Sequence, residues 1–156
     1  MTRIDFYFNV VDKPQLLATL VQAALVKRRN VTVLARDVGN ATEISAGLWQ
    51  QQAESFMPNV LVNHDVAALN TVGLDLVALT PVVIHWQENA LLQDDMLINL
   101  TEIEPTFFSR FTQLIELVGD DEQDKIAARA RYKFYRDRGY EIRNTNHAQT
   151  THPAQT

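Results

Sequence analysis

Basic side chains recur at helical spacing near the end of the chain. At about 100° per residue, five residues fall within roughly 100° of arc: Lys125, Arg129, Tyr132, Lys133 and Arg136. Cationic groups on one face attract an anionic partner, and an arginine binds a carboxylate through two parallel hydrogen bonds. A tyrosine among them adds a rigid amphipathic surface, as is common at interfaces. The pattern therefore predicts a binding site for an anionic ligand.

The residues that carry this arc are predicted to form one helix between Asp120 and Tyr140. Acidic residues begin the segment and basic residues follow, which is the order that the helix dipole favours. Ile126, Ala130 and Phe134 lie on the neighbouring face, where we expect them to pack against the core.

Charge is distributed unevenly along the chain. Residues 125–143 hold seven of the 14 Lys and Arg residues and two acidic residues, so this segment carries a charge of +5. The remaining residues carry −10, which gives the net charge of −5. A basic face is also typical of an ordinary solvated helix. The separation of charge nevertheless favours a localised site for an anionic partner.

Composition excludes several classes of protein. The absence of cysteine excludes disulfides, thiolate metal ligands and a cysteine nucleophile, and it fits a cytoplasmic location. No apolar run approaches the roughly 20 residues that span a bilayer, so no membrane segment is expected. A pI near 5.3 disfavours a general DNA-coating protein.

Alternating strand and helix patterns predict an α/β fold with a Rossmann-like, mostly parallel central sheet flanked by helices. Strands are predicted at Ile4–Val11, Val31–Ala35, Pro81–Trp86 and Met96–Leu100, and further helices after Pro14, from Thr42 to Trp49 and after Pro105. In the last of these helices Phe107, Phe111, Leu114 and Val118 form an apolar stripe. Val60–Leu79 gives a weaker pattern, with a small helix at Val66–Leu69 and a strand at Leu74–Ala78. We expect one domain over residues 1–143, and a disordered tail over residues 144–156, which lack bulky apolar side chains.

Motifs for catalysis or cofactor binding are absent from the sequence. It contains neither of the glycine-rich phosphate-binding loops common in α/β proteins, so no nucleotide cofactor is expected. The four histidines do not have metal-ligand spacing, and His85 fits better as a strand residue than as a catalytic base. Asp94 and Asp95 are adjacent carboxylates in a polar loop, which are more often solvated than bound to a metal ion. We therefore predict no catalytic residue and no metal site.

Three segments together resemble the chi subunit family of bacterial DNA polymerase III. The first is the aromatic strand segment Phe6–Phe8. The second, LW-x4-ESF-x-P, comprises Leu48, Trp49, Glu54, Ser55, Phe56 and Pro58. The third, AR-x-RYK-x-YR-x-x-G, comprises Ala128, Arg129, Arg131, Tyr132, Lys133, Tyr135, Arg136 and Gly139. The resemblance extends from about Ile4 to Tyr140, and residues 59–79 depart most from the family pattern.

The resemblance implies a non-enzymatic adaptor in the clamp-loader complex. Members of the family pair with the psi subunit and bind the acidic C-terminal tail of single-stranded DNA-binding protein, which ends in an apolar residue and a free carboxylate, so DNA is contacted indirectly. Carried over to this sequence, Lys125, Arg129, Tyr132 and Lys133 form the site for that tail and Val118 supplies an apolar wall, with Arg129 on the terminal carboxylate. Arg136 completes the basic arc.

Other interpretations of the same residues remain open. Trp49, Phe56 and Pro58 are typical of a core, but the resemblance implies a second partner surface, which we assign loosely to psi. The favoured alternative for psi is a separate apolar face that the sequence does not locate. The basic helix also fits direct binding of single-stranded nucleic acid, with Tyr132 and Tyr135 stacking on bases. A third alternative is an unrecognised nucleotide enzyme on this fold.

Overall fold

The computed structural model describes residues 2–51, 59–62, 82–86 and 94–147. Within these ranges the chain forms a seven-stranded sheet in the order β3-β4-β2-β5-β6-β1-β7. The strands are β1 (Arg3–Val10), β2 (Val31–Leu34), β3 (Asn59–Val62), β4 (Val82–His85), β5 (Met96–Asn99), β6 (Gln113–Gly119) and β7 (Ile142–Asn146). Every strand pairing between described residues is parallel. The predicted α/β fold with a mostly parallel sheet is confirmed.

In the described ranges, three helices connect the strands. They are α1 (Lys13–Val26), α2 (Val38–Gln51) and α3 (Glu122–Asp137). Helix α1 begins after Asp12, whose side chain accepts a hydrogen bond from the Gln15 N–H at 3.1 Å, and it has a proline in its first turn. Helix α3 is followed by Gly139 with φ +83°, a left-handed conformation that glycine adopts at low cost.

Alternation along the strands produces two separate cores, one on each face of the sheet. On one face, Val33 and Ile115 pack with α1 and α2. On the other face, Leu34 and Leu114 pack with α3 and with a short 3₁₀ turn at Phe108–Arg110. Successive strand residues therefore serve opposite layers, and each layer holds its helices against the sheet.

The predicted helix after Pro105 is wrong. The segment forms the 3₁₀ turn and then β6, which lies between β5 and β1 and is buried at all seven positions. The helical stripe arose because a strand buried on both faces is apolar nearly throughout, and such a run satisfies the helical period as well. The predicted strand at Pro81–Trp86 is confirmed as β4, whereas β3 was not predicted.

Helix α3 does not bury the face that its sequence suggested. Ile126 is 54% exposed and Ala130 is exposed, whereas Phe134 is half-buried and packs against the core as predicted. The buried positions are instead Ala128, Arg131 and Tyr135. The helix is rotated from the predicted orientation because a charged residue of the helix has a partner inside the sheet.

The first residues of the predicted disordered tail form a strand. Strand β7 includes residues 144–146, and the register pairs Phe6 with Asn144 and Phe8 with Asn146. A parallel neighbour supplies backbone hydrogen bonds even to a polar strand, so the absence of bulky apolar side chains did not indicate disorder there. Residues 148–156, and the elements predicted between residues 63 and 79, lie outside the described residues.

Candidate functional site

A pocket of about 520 Å³ lies between α3 and the end of the sheet. Helix α3 contributes Lys125, Ala128, Arg129 and Tyr132, and the strands β1, β6 and β7 contribute Phe6, Phe8, Asn9, Val118, Gly119 and Asn144. We call this the α3 pocket. Its cationic part comes from the helix, and its apolar part comes from both the sheet and the helix.

An irregularity in β1 shapes the sheet side of the α3 pocket. The pairing of β1 with β6 shifts register between Tyr7 and Val10, and Asn9 has φ 60°. Asparagine tolerates this left-handed conformation better than most residues. The Asn9 amide donates a hydrogen bond to Asn146 Oδ1 at 3.1 Å, which ties the irregular segment to β7. Phe8 and Asn9, which lie in this irregular segment, both line the α3 pocket.

The apolar wall of the α3 pocket is well ordered by packing. Val118 is 5% exposed, and the Tyr132 ring packs against Phe6 with 5.3 Å between ring centroids. The Tyr132 hydroxyl accepts a long hydrogen bond from the Asn144 amide at 3.4 Å. Held from both sides, this tyrosine offers a fixed surface against which an apolar or aromatic ligand group can pack.

The cationic side chains at the α3 pocket lack internal partners. In the described part of the chain, neither Lys125 nor Arg129 forms a salt bridge, and Arg129 is exposed. They lie one helical turn apart on the same wall. Two unpaired cations beside an apolar wall are suited to a ligand that combines a carboxylate with an apolar side chain.

A buried polar network holds α3 on the sheet. Glu116 of β6 is fully buried, and it accepts hydrogen bonds from Arg131 Nε at 3.1 Å and from the Tyr135 hydroxyl at 2.6 Å. The Asn99 amide donates to the same carboxylate, and Arg131 Nη1 donates to the Glu102 carbonyl at 2.9 Å. The network is therefore well satisfied, as a buried ion pair requires. It fixes which face of α3 turns inward, and hence which face meets the α3 pocket.

Burial is the main cause of the pKa shifts of Glu116 and Tyr135 in this network. Loss of solvent raises the pKa of Glu116 to about 6, although the Arg131 charge and the hydrogen bonds from Tyr135 and Asn99 lower it. Desolvation, together with the charge of Glu116, raises the pKa of Tyr135 far above its ordinary value. Arg131 is one of the seven basic residues of segment 125–143, but it is 2% exposed and paired with Glu116, so it adds no exposed charge to α3.

The structure brings together four of the six residues predicted for the anionic ligand, namely Val118, Lys125, Arg129 and Tyr132. Lys133 and Arg136 are exposed on α3 and do not line the α3 pocket, and Arg136 Nη2 lies 3.6 Å from Asp137 Oδ1. The backbone of Trp49 lies in the last turn of α2. Phe56 and Pro58 lie outside the described residues.

Sequence reasoning missed the sheet side of the α3 pocket. Phe6 and Phe8 were assigned to a strand without a role in binding, and Asn144 was assigned to the disordered tail. Two signals were available in β1, since Phe6 and Phe8 share one face of the strand and Asn9 follows them directly. Asn144 gave no such signal, because its place depends on pairing with a strand about 140 residues earlier in the chain.

Tyr135 is unavailable to stack on bases, because its side chain is 0% exposed and its hydroxyl is bound to Glu116. None of the helices in the described ranges is long and apolar enough to cross a membrane. Across those same residues, no three His, Cys, Asp or Glu side chains are grouped so as to hold a metal ion.

The fold and the α3 pocket define an open α/β protein with a basic binding pocket on a C-terminal helix. Among solved structures, the C-terminal domain of the DEAD-box protein Dbp5 is similar, with a TM-score of 0.62 and 14% identity, over 92% of this chain and 89% of that one. That likeness concerns the fold alone.

Sequence comparison is more specific. The family described as DNA polymerase III chi subunit, HolC, matches residues 1–143. The DNA polymerase III subunit chi of Pseudomonas aeruginosa is 30% identical, over 92% of this chain and 96% of its own length. The subunit chi of Haemophilus influenzae is 33% identical, over 76% of each chain. The chain therefore belongs to the family of DNA polymerase III chi subunits.

Proposed function

We propose that this chi-family chain is a non-catalytic adaptor in the clamp-loader complex of DNA polymerase III, acting in the cytoplasm. In this proposal the α3 pocket binds the acidic C-terminal tail of single-stranded DNA-binding protein, and a separate surface binds the psi subunit. The protein thereby links the polymerase to coated single strands and contacts DNA only through its partner.

The observation that carries the tail proposal is the composition of the α3 pocket. Lys125 and Arg129 stand unpaired on one wall, and Val118 and the packed Tyr132 ring form the apolar side. A peptide that ends in an apolar residue carries its carboxylate within one residue of that side chain. It can therefore place both groups in a site of this size, with Arg129 binding the carboxylate in two places.

The remaining basic residues support binding from outside the α3 pocket. Lys133 and Arg136 are exposed on the same helix, one and nearly two turns beyond Arg129. We assign them to the acidic residues that precede the end of the tail, where they act through long-range attraction and are screened by salt.

The psi subunit is proposed to bind at the other end of the sheet. Helix α2 follows β2 and precedes β3, so its last turn, with Trp49, returns toward the amino-terminal edge of the parallel sheet. The α3 pocket includes Val118 and Gly119 at the carboxyl end of β6. A partner that binds at the last turn of α2 would thus leave the α3 pocket free for the tail.

Direct binding of single-stranded DNA is the function to be distinguished. The test compares an acidic peptide ending in Phe with a single-stranded oligonucleotide of equal charge, each titrated at two salt concentrations. We expect the peptide to bind more tightly and to retain part of its affinity at high salt, because apolar burial is not screened. Tighter binding of the oligonucleotide, with affinity lost steeply in salt, would reject the adaptor proposal.

A further inference from the structure

A second recess, of about 570 Å³, lies at the carboxyl edge of the sheet, and no proposed partner uses it. It is bounded by residues that follow β1, β2 and β5, by the end of β6 and by the first turns of α1, α2 and α3. We call it the edge crevice. In open α/β sheets, ligands bind outside the carboxyl ends of the strands, so this is the place where the fold offers a site.

The charge of the edge crevice disfavours the phosphate-containing ligands that such folds usually bind. Its lining includes five carboxylates: Glu43, Glu102, Asp120, Asp121 and Asp124. Lys13 and Arg36 are the cations among its lining residues, and Lys13 Nζ is bound to Asp124 Oδ2 at 2.6 Å. The crevice therefore carries a net charge of about −3, which repels a phosphate and attracts a cationic group.

Asp124 is committed to the fold and does not serve a ligand. Its carboxylate accepts a hydrogen bond from the Gly119 N–H at 2.6 Å in addition to the Lys13 ion pair. Although burial raises its pKa, these two partners hold the pKa below the ordinary value. The carboxylates of Glu43, Glu102, Asp120 and Asp121 are exposed, and among described residues none of them forms a salt bridge.

Exposed apolar side chains gather at the same edge of the sheet. Five large apolar side chains are the most exposed in the described ranges: Val11 (84%), Val26 (78%), Val38 (55%), Ile103 (64%) and Ile126 (54%). Four of them follow the carboxyl ends of β1, β2, β5 and β6, and Val26, at the end of α1, is the exception. Val11 lines the crevice itself, whose floor includes the side chains of Leu17, Ile44 and Leu117. A crevice that combines an apolar floor, an exposed valine and exposed carboxylates is suited to a protein segment with both apolar and cationic side chains.

We propose that the edge crevice is a docking surface for a basic segment of a partner protein that also presents branched apolar side chains. The carboxylates of the crevice complement the cations of the partner segment, and the exposed valine and isoleucine side chains bury the apolar groups of that segment. This surface is distinct from the α3 pocket, which is basic and takes the opposite charge. The inference does not depend on the tail proposal.

The test uses an amphipathic peptide of lysine and leucine as the probe, and a peptide with glutamate in place of lysine as its control. Each is titrated into the full-length ¹⁵N-labelled protein. We expect the lysine peptide to shift the backbone amides of Leu100, Thr101, Gly119 and Gln123, and the glutamate peptide to leave them unchanged. Shifts that avoid these residues, or equal shifts with both peptides, would overturn the proposal.

Matched variants separate a docking surface from general charge attraction. Val11→Lys should weaken binding of the lysine peptide by at least about tenfold, because it removes an apolar contact and adds a charge of the same sign as the peptide's. Val26→Lys makes the same change at the other end of α1 and should leave affinity within about twofold. Glu102→Lys should weaken binding by about five- to tenfold, and Glu141→Lys should not.

Equal effects of the two variants in either pair would reject the proposal. Self-association abolished by Val11→Lys would also reject it, in favour of a second copy of this chain.

Discussion

Arg129 and Arg131 lie two residues apart on one helix and have opposite environments. Arg131 is 2% exposed and bound to Glu116 and the Glu102 carbonyl, whereas Arg129 is exposed and unpaired among the described residues. Both are arginines in a basic stretch, so the sequence alone does not separate a structural cation from a binding cation. The difference arises from Glu116, which lies on the sheet beneath one of them.

At the scale of single residues, Arg129→Ala should weaken binding of the acidic tail peptide by about 2–4 kcal/mol, the range for truncating one partner of a close charge pair. Arg129→Lys should recover only part of this loss, because an ammonium group cannot bind a carboxylate through a planar fork. The free energy of unfolding should change by less than about 0.5 kcal/mol, since the side chain is exposed. Calorimetric titration and urea denaturation measure the two quantities.

Arg136→Ala is the matched control for Arg129→Ala. Arg136 lies on the same helix, is exposed and does not line the α3 pocket. Its removal should cost less than about 1 kcal/mol of tail binding, as expected for a screened surface charge. Equal losses from the two variants would mean that charge alone, and not the α3 pocket, binds the peptide.

Glu116 should make stability depend on pH. Its folded-state pKa of about 6 lies above the ordinary value of 4.5, so the folded state binds a proton more readily than the unfolded state does. This contribution to stability is fully present below pH 4.5 and is lost as the pH rises through 6. Relative to Glu116→Gln, the wild type should therefore lose on the order of 2 kcal/mol of unfolding free energy between about pH 4 and pH 7. The measurement is urea denaturation of both proteins at both pH values. A stability of the wild type relative to Glu116→Gln that stayed constant or increased from pH 4 to pH 7 would refute this.

At the scale of elements, the sequence was sufficient wherever a local pattern determined the structure. Strand β1, helix α1 and the extent of α3 follow from period, caps and stop residues, and all three are confirmed. Strand β6 was mistaken for a helix because its seven residues are all buried and carry no alternation. The orientation of α3 depends on Glu116, a partner on another element, so no pattern within the helix could reveal it.

Two truncations test this arrangement of elements. Leu114 of β6 is 0% exposed and packs in the core beneath α3, so Leu114→Ala should lower the unfolding free energy by about 2–5 kcal/mol. Ile126 of α3 is 54% exposed, so Ile126→Ala should cost less than about 0.5 kcal/mol. Comparable losses for both variants, measured by urea denaturation, would support the face of α3 that the sequence suggested and contradict the observed one.

Across the whole molecule, opposite charges flank the start of α3. The edge crevice holds exposed carboxylates, the α3 pocket holds Lys125 and Arg129, and Gly119 lines both. The net charge of −5 conceals this division. The basic half could be predicted because its residues lie on one helix. The acidic crevice collects residues from four connections along the chain, and only the topology of the sheet brings them together.

The same division predicts the response to nucleotides. The crevice where this fold would place a phosphate is lined by carboxylates and has no glycine-rich loop. Neither ATP nor GTP should therefore raise the melting temperature, although any ligand that binds only the folded state must do so. Thermal scans over a range of nucleotide concentrations provide the measurement. A shift that grows with concentration would contradict the non-catalytic assignment.

The central claim is that the α3 pocket recognises the end of an acidic tail through its apolar side chain as well as its charge. The most direct measurement is a calorimetric titration of the wild-type protein with the intact tail peptide and with the same peptide lacking its terminal Phe. If that side chain packs against Val118 and Tyr132, its deletion should weaken binding by more than about 1.5 kcal/mol, the usual scale for burying such a group. Equal affinities for the two peptides would contradict the claim, because binding would then require only the charges of Lys125 and Arg129.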